Sequence, residues 1–571
     1  MSASPSTRQD APRGGWAVDM MLLAALVAAV YVPRLVDLSI RGEESRWAQV
    51  AYEMIQTGDW LVPRQQGVVF ADRPPLHSWA IAVMSLALGD VNLLSVRLPS
   101  VIFVMLTSLV IYAYTRQFLS RVGALAAGAA YATMLHVLEL GRLGETDATL
   151  ALFMSASLLA WHTGYMRRWP AALTWSLGGA LAALAALAKG PQAPVYFAGG
   201  TIMYLLLNRD WRFLLSWSHA LGWCVFAAVL GAWLVPFTLA QDAGAVASIW
   251  TQEGHLASRF MYPTVGEALL RWARYPVESF GAMLPWSLTL LCYSSRRFRA
   301  ALGPTRPYVR FLATCCLVAF PTCWLPAYSV PRYFMPLYPC LACLVGVVVS
   351  QAWAWRREVA LQRGWGIGMA GLAGVLGFLA IALAIGSLLP GEAGPALTLS
   401  AFHGILLACL AVLLGLLAIW ASTAEDDHRV RIGILTLAGA IGLICSGPVT
   451  DQLIRASADT GGEVAKLHNS MPPGERLVSF GHVHHRFAYY FRDPIAYRSW
   501  PSTSADVDPE LEYFCFELPR TGEPSLPFAW ERVAVVSCDR KRRPTPLDAV
   551  VVGRRINATA RTSQASQPGR Q

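Results

Sequence analysis

Apolar runs of nearly bilayer length recur along the chain. They include residues 17–32, 101–114, 365–389 and 402–420, which approach the roughly 20 residues that a helix needs to cross a bilayer. Only 14% of the 571 residues are Asp, Glu, Lys or Arg, whereas soluble domains carry about a quarter charged residues. The pattern excludes a soluble single-domain enzyme and predicts an all-α polytopic membrane bundle.

The positions of the arginines predict how the chain crosses the membrane. Hydropathy indicates thirteen spans, near residues 16–36, 95–115, 122–140, 147–165, 171–188, 192–208, 213–238, 279–294, 309–327, 333–353, 364–389, 398–421 and 432–449. Alternate connections all contain arginine, so the positive-inside rule predicts an inside N-terminus and, after thirteen crossings, an outside C-terminal segment. Because the basic residues form short pairs between apolar runs, the net charge of +10 does not indicate nucleic-acid binding.

The chain is expected to divide near residue 450. Residues 1–450 would form the membrane domain, with large outer loops at 37–94 and 239–278. A small α/β domain would follow at 451–557, and residues 558–571, rich in Ser, Thr, Gln and Arg, are expected to be disordered.

Three short apolar runs in the C-terminal segment, at 476–480, 533–537 and 549–552, have the pattern of strands. Cys515 and Cys538 lie in the same segment. If that segment is in an oxidising compartment, a disulfide between them is expected.

The first outer loop contains an amphipathic helix that we expect to lie on the membrane surface. Its apolar stripe consists of Trp47, Val50, Ala51, Met54 and Ile55. Glu43 and Glu44 stand at its N-terminal end, where carboxylates serve either as capping charge or as functional groups. Further on, two prolines hold the Asp72-Arg73 pair in an extended segment, for which a simple surface ion pair is the alternative. The apolar stretch 76–88 is too short to span and is expected to be re-entrant or interfacial.

Charged residues also mark the ends of later spans. Lys189 is one of only three lysines among 46 basic residues and ends the fifth span. Its ammonium group either makes a specific contact or only extends to the membrane surface, as snorkelling side chains do. Arg142 and Asp147 flank the start of the fourth span, where Asp147 could equally be an N-terminal charge, and Arg332 precedes the tenth.

One predicted membrane face thus collects acidic and basic side chains at headgroup depth. They are Glu43, Glu44, Asp72, Asp147 and Glu253 beside Arg73, Arg142, Lys189, Arg259 and Arg332. Cations at this depth suit a lipid phosphate.

Several motifs resemble those of a known family. Gly42-Glu-Glu-Ser-Arg-Trp47, Thr57-Gly-Asp-Trp60 and Asp72-Arg-Pro-Pro-Leu76 look like the first periplasmic loop of the bacterial 4-amino-4-deoxy-L-arabinose lipid A transferases. These enzymes are related to the protein O-mannosyltransferases. Further matches are Arg97-Leu-Pro99, Leu187-Ala-Lys-Gly-Pro191, Leu284-Pro-Trp286 and Arg332-Tyr-Phe-Met-Pro336.

The resemblance implies a GT-C membrane glycosyltransferase of the bacterial inner membrane, with about 13 transmembrane helices, a cytoplasmic N-terminus and a periplasmic C-terminal domain. It implies transfer of a sugar from a polyprenyl-phosphate donor to lipid A or another envelope acceptor, by a chain that we expect to be a monomer among membrane lipids. A protein O-mannosyltransferase-like enzyme is one alternative. A secondary transporter is another, although transporters place ionisable residues near the bilayer midplane.

The resemblance and the leaving-group chemistry together suggest roles for individual residues. We expect Glu43, Arg73 and Asp147 to be catalytic. The donor phosphate would be bound by Arg73, Lys189, Arg259, Arg332 and Arg142. The sequence itself requires no cofactor, but the resemblance associates a bound metal with the positions of Asp72 and His255. Two ligands fall short of the four that a structural zinc site uses.

Overall fold

The computed structural model describes residues 15–70, 73–241, 262, 264–327, 329–355, 371, 374–386, 399–422, 426–457, 459–472, 474–518, 524–538 and 549–556. In this part of the chain, six helices are long and apolar enough to cross a bilayer. They are Leu93–Thr115, Ala171–Lys189, Trp217–Ala240, Pro331–Ala354, Ala401–Trp420 and Asp427–Arg455. All six coincide with predicted spans, so the chain is a multi-pass membrane protein, while the count of thirteen stays a prediction.

The remaining helices are shorter or less apolar. Three of them are apolar, Gly15–Tyr31, Leu76–Leu88 and Gly374–Gly386. The others include Glu44–Thr57, Arg121–Ala132, Leu135–Leu140, Thr146–Met166, Gln192–Asn208, Trp211–Leu214, Val265–Ala282, Ser287–Leu290, Arg296–Ala300, Arg306–Trp324, Thr460–Ser470 and His485–Phe491.

Two predicted spans are interrupted. The segment predicted to cross at 279–294 contains the end of helix Val265–Ala282 and the single turn Ser287–Leu290. Pro285 lies between them and has no backbone N–H to continue a helical ladder. The segment predicted at 122–140 divides at Met134, whose extended backbone separates two helices.

The chain forms two compact units. Unit 1 contains residues 1–35, 98–235 and 250–451, and unit 2 contains residues 36–97, 236–249 and 452–571. This grouping differs from the predicted division, because the first outer loop clusters with the C-terminal segment.

Unit 1 is a bundle whose helices approach closely at small residues. A Cβ added to Gly123 would lie 2.7 Å from the carbonyl oxygen of Gly346 and 2.5 Å from the Cβ of Ser350. Glycine therefore permits helix Arg121–Ala132 to pack on the helix that contains Gly346, as is common between membrane helices.

Unit 2 contains the amphipathic helix predicted in the first loop, Glu44–Thr57, which we call the first-loop helix. It ends at Gly58, whose left-handed φ of 71° suits glycine. Trp47 and Ala51 are buried in a cluster with Ile81 and with Tyr489 of the C-terminal segment. Protein side chains therefore cover this apolar stripe, and the location of the helix at the membrane surface stays a prediction.

Unit 2 also contains two sheets. Strands β1 (Arg64–Gln65) and β2 (Val68–Val69) form a small antiparallel hairpin. The larger sheet has the order β4-β3-β5-β7-β6. Its strands are β3 (Val478–Phe480), β4 (Ala496–Arg498), β5 (Tyr513–Glu517), β6 (Trp530–Ser537) and β7 (Ala549–Arg555). The three strands predicted here are confirmed as β3, β6 and β7, whereas β4 and β5 were not predicted.

The structure contradicts the disulfide expected between Cys515 and Cys538. Cys515 is a buried free thiol on β5, and burial raises its pKa. Strand β7 lies between β5 and the β6 strand that precedes Cys538. Two strand spacings amount to about 9.5 Å, which exceeds the roughly 7 Å limit between bonded Cα atoms.

Candidate functional site

The two glutamates of the first loop occupy different environments. The first-loop helix begins at Glu44, and Glu43 is its N-cap residue. The side chain of Glu43 is 40% exposed, whereas that of Glu44 is fully buried. Adjacent residues on a helix project about 100° apart, so only one can face a given partner.

Glu44 is bound to Arg97 inside unit 2. The Nε and Nη2 atoms of Arg97 donate to the two carboxylate oxygens at 2.8 and 2.9 Å. The backbone N–H of Arg41 donates to the same carboxylate at 2.7 Å, and Arg97 also donates to the carbonyl oxygens of Leu38 and Ser39. These bonds satisfy both buried charges and fix the loop that enters the helix.

Glu43 has a more open carboxylate. Its Oε2 forms an ion pair with Arg46, whose Nε lies 2.9 Å away, and Nε2 of His485 lies 3.9 Å from the same oxygen. Nδ1 of His485 is 2.6 Å from Oγ of Ser45. Ser45 and His485 were missed by the sequence analysis, although the run Gly481-His-Val-His-His485 is a concentration of imidazoles that could have pointed to the segment.

A second charged group lies within unit 1, where Asp147 occupies the first turn of helix Thr146–Met166 and Lys189 is the last residue of Ala171–Lys189. Arg332 lies in the turn that starts the helix at Pro331–Ala354. The packing of the first two helices brings their charged ends together. The structure thus unites Asp147, Lys189 and Arg332, three residues singled out from the sequence.

The contacts in this group are short and buried. Nζ of Lys189 is 2.5 Å from Oδ1 of Asp147, and Nη2 of Arg332 is 2.6 Å from Oδ2. Arg332 also bonds Glu145, the N-cap residue of the Asp147 helix. Asp147 is fully buried, and Lys189 is 9% exposed. We call Glu145, Asp147, Lys189 and Arg332 the Asp147 cluster.

The Asp147 cluster contains two cations and two carboxylates. Each carboxylate oxygen of Asp147 contacts one cation, so this carboxylate balances the charges of Lys189 and Arg332. Nζ of Lys189 also lies 6.0 Å from the ring centre of Tyr333. Glu145, which the sequence did not single out, completes the charge balance.

The other predicted site residues are distributed differently. Arg142 donates to the carbonyl oxygen of Pro33 at 2.8 Å and to Oγ of Ser446 at 3.2 Å. Arg73 is partly exposed and directly precedes the two buried prolines before helix Leu76–Leu88. The remaining predicted residues, Asp72, Glu253, His255 and Arg259, lie outside the described residues. The suggested metal ligands Asp72 and His255 therefore remain a sequence-based prediction.

Unit 2 contains a cavity of about 1040 Å³ beside the first-loop helix. Glu53 on its wall accepts from the backbone N–H groups of Gln66 and Gly67 at 2.5 and 3.0 Å, and burial raises the pKa of this carboxyl. Tyr52 and Tyr489 also line the cavity, but none of the described predicted site residues does. We therefore distinguish it from the candidate site.

Comparison with known proteins agrees with the sequence motifs. Residues 72–235 match the family model of dolichyl-phosphate-mannose-protein mannosyltransferases. An undecaprenyl phosphate-alpha-4-amino-4-deoxy-L-arabinose arabinosyl transferase of Pseudomonas aeruginosa (strain LESB58) is 31% identical over 355 residues. The match covers 59% of this chain and 61% of that relative, hence less than two thirds of its length. A transferase of the same description from Proteus mirabilis (strain HI4320), numbered 2, is 24% identical over 57% of this chain and 59% of its own.

The fold extends the likeness to nearly the full chain. The crystal structure of ArnT from Cupriavidus metallidurans bound to undecaprenyl phosphate matches with a TM-score of 0.71 and 18% sequence identity. The match covers 98% of this chain and 100% of the ArnT chain. The chain is therefore similar over part of its sequence to the undecaprenyl phosphate-alpha-4-amino-4-deoxy-L-arabinose arabinosyl transferases, and it shares the fold of ArnT.

Proposed function

We propose that this chain is a membrane glycosyltransferase that moves a sugar from a polyprenyl-phosphate donor to lipid A or another cell-envelope acceptor. The observation that carries the proposal is the Asp147 cluster, with its short Lys189 and Arg332 contacts. It lies in a chain whose fold matches ArnT along nearly its full length. The Pseudomonas aeruginosa relative, an undecaprenyl phosphate-aminoarabinose arabinosyl transferase, suggests the donor class.

The leaving group sets the main chemical demand. Transfer breaks the bond between the anomeric carbon and a phosphate oxygen of the donor, and the new bond joins that carbon to an oxygen of the acceptor. Negative charge grows on the departing phosphate, so cations held in place stabilise the transition state. The cations would be Arg73, Lys189, Arg259 and Arg332. Arg142, which bonds the carbonyl oxygen of Pro33, would be a further phosphate-binding cation.

Asp147 would organise the cations. It lies between Lys189 and Arg332 and holds an oxygen against each. Fixed charges need little reorganisation when the phosphate departs, which is the source of their catalytic advantage. Donor phosphate and Asp147 would share these two cations during turnover.

Glu43 would act on the acceptor. Its partly exposed carboxylate can accept a proton from an attacking hydroxyl or orient the acceptor, and it can offset positive charge at the anomeric carbon. If the acceptor is a phosphate of lipid A, little base assistance is needed and the orienting role dominates. Arg73 would stand near the reacting phosphate, and a metal bound by Asp72 and His255 would add further positive charge.

The proposed setting is the bacterial inner membrane. The N-terminus would be cytoplasmic, and transfer would occur on the periplasmic side, where the C-terminal segment would also lie. We propose that the chain acts as a monomer surrounded by membrane lipids.

A protein acceptor is the second candidate. The match of residues 72–235 to dolichyl-phosphate-mannose-protein mannosyltransferases favours it. A serine or threonine hydroxyl is a weaker nucleophile than a phosphate, so this reaction would require Glu43 as a base.

Mass spectrometry of cells with and without the gene tests the proposal and separates the two acceptors. A sugar mass that disappears from lipid A on deletion and returns on complementation supports the first acceptor. The same change on envelope proteins supports the second. Unchanged lipid A, glycans and envelope proteins, despite confirmed expression in the parent strain, would refute the proposed activity.

A further inference from the structure

One histidine of the C-terminal segment contacts the start of the first-loop helix. His485 places Nδ1 at 2.6 Å from Oγ of Ser45 and Nε2 at 3.9 Å from Oε2 of Glu43. We propose that His485 is a positioning residue for Glu43, so that the C-terminal segment takes part in catalysis through this carboxylate. The inference rests on the proposed function of Glu43 in glycosyl transfer.

His485 is rigidly mounted. Its side chain is 7% exposed, and it begins the helix His485–Phe491. Phe487 and Phe491 of this helix are buried in the core of the C-terminal segment. An imidazole anchored in this way loses little conformational freedom when it orients a neighbouring group.

The contact between His485 and Ser45 holds the backbone next to Glu43 in place. Ser45 is 1% exposed and is the second residue of the first-loop helix. A hydrogen bond between two buried side chains fixes this first turn, and the N-cap residue Glu43 immediately precedes it. His485 therefore fixes the direction from which the carboxylate enters the site.

The second ring nitrogen of His485, Nε2, faces the carboxylate of Glu43. When the Ser45 hydroxyl donates to Nδ1, the neutral ring carries its hydrogen on Nε2, the nitrogen that faces Glu43. The separation of 3.9 Å is longer than a hydrogen bond. His485 would therefore orient the carboxylate by attraction and not through a hydrogen bond.

Arg46 also pairs with Glu43. Its side chain is 30% exposed and its Nε lies 2.9 Å from the same oxygen, within the first helical turn. Partly exposed ion pairs contribute little fixed geometry, because solvent screens them and both side chains are flexible. Buried His485 differs from Arg46 in that its own position is fixed by the protein around it.

The test compares His485→Ala with His468→Ala in the full chain. His468 is an exposed histidine of the same segment that pairs with Asp493, so its replacement makes the same chemical change away from Ser45. We expect His485→Ala to lower kcat about 10- to 100-fold while the KM for donor changes less than about twofold. His468→Ala should retain kcat, and His485→Asn, which keeps a polar atom near the Nδ1 position, should recover part of the loss.

A double-variant cycle separates positioning from general structural support. If His485 acts through Glu43, adding His485→Ala to Glu43→Gln should cause little further loss of kcat. Full activity of His485→Ala, or losses that multiply in the double variant, would overturn the proposal. Full activity of Glu43→Gln would overturn it as well, since no catalytic carboxylate would remain to position.

Hydrogen exchange supplies a readout that does not depend on transfer. We expect His485→Ala to speed amide exchange in residues 43–50 while exchange in strands β5 and β7 stays unchanged. If wild-type protein transfers no sugar, the proposed function fails, and exchange decides the positional claim separately. Unchanged exchange at 43–50 would then reject His485 as the residue that fixes this turn.

Discussion

Arg97 binds both carboxylate oxygens of Glu44 at 2.8 and 2.9 Å, and the two side chains are at most 1% exposed. The preceding residue, Glu43, is 40% exposed. A single step along the chain therefore separates a buried structural charge from an accessible one. Because of this difference, we expect Glu44 to stabilise the fold and Glu43 to be the catalytic carboxylate.

Glu44→Gln should destabilise the protein, because it removes one charge of a buried pair and leaves Arg97 without its counter-ion. Such losses cost about 3–5 kcal/mol. Glu43→Gln is the matched control and should change stability by less than about 1 kcal/mol, as expected for an exposed pair. Thermal unfolding in one detergent checks both variants, and equal melting temperatures for the two would contradict the assignment.

Lys189→Ala should reduce turnover by roughly a hundredfold or more, about 3 kcal/mol, because it removes an aimed cation and leaves Asp147 with fewer donors. Lys189→Arg keeps the charge and should retain a small part of the activity, since a guanidinium differs in shape from an ammonium. Lys466→Ala, at an exposed lysine of helix Thr460–Ser470, is the control. Assays at matched expression measure the effect, and undiminished turnover of Lys189→Ala would remove Lys189 from the mechanism.

Cys515 should remain a thiol in purified protein. Burial raises its pKa and keeps reagents away, so we expect alkylation of Cys515 only after denaturation and without any need for a reductant. Peptide mapping after denaturing alkylation, with and without prior reduction, measures this. If Cys515 is alkylated only after reduction, it forms a disulfide and the prediction is wrong.

The orientation in the membrane can be tested with reporter fusions at Asp427 and Ser470. The Arg-rich connection near Asp427 predicts a cytoplasmic signal, and one further crossing predicts a periplasmic signal at Ser470. Signals from the same side at both positions would refute the predicted topology.

Local patterns predicted much of what the structure shows. The spacing of Trp47 and Ala51 predicted the first-loop helix, and the rarity of lysine singled out Lys189, which contacts Asp147. Short apolar runs predicted three strands correctly. Each of these predictions depends on neighbouring residues or on composition, and both are known from the sequence alone.

Contacts between distant residues could not be predicted in this way. Ser45 and His485 are 440 positions apart, and no periodicity links them. The apolar stripe of the first-loop helix showed that one face is covered, but it did not distinguish lipid from Tyr489 and its neighbours. Likewise, an oxidising compartment suggested a disulfide for Cys515, whereas the strand order keeps its expected partner too far away.

Transfer of sugar from a polyprenyl-phosphate donor by purified protein tests the central claim most directly. The assay compares wild type with Glu43→Gln, using lipid A and envelope protein as acceptors and mass spectrometry for the product. We expect wild type to glycosylate one acceptor and Glu43→Gln to be slower by about 100-fold or more, while Glu43→Asp, which keeps the carboxylate, should retain activity. Failure of folded wild-type protein to modify either acceptor with any polyprenyl-phosphate sugar would contradict the proposed function, and full activity of Glu43→Gln would contradict the role of Glu43.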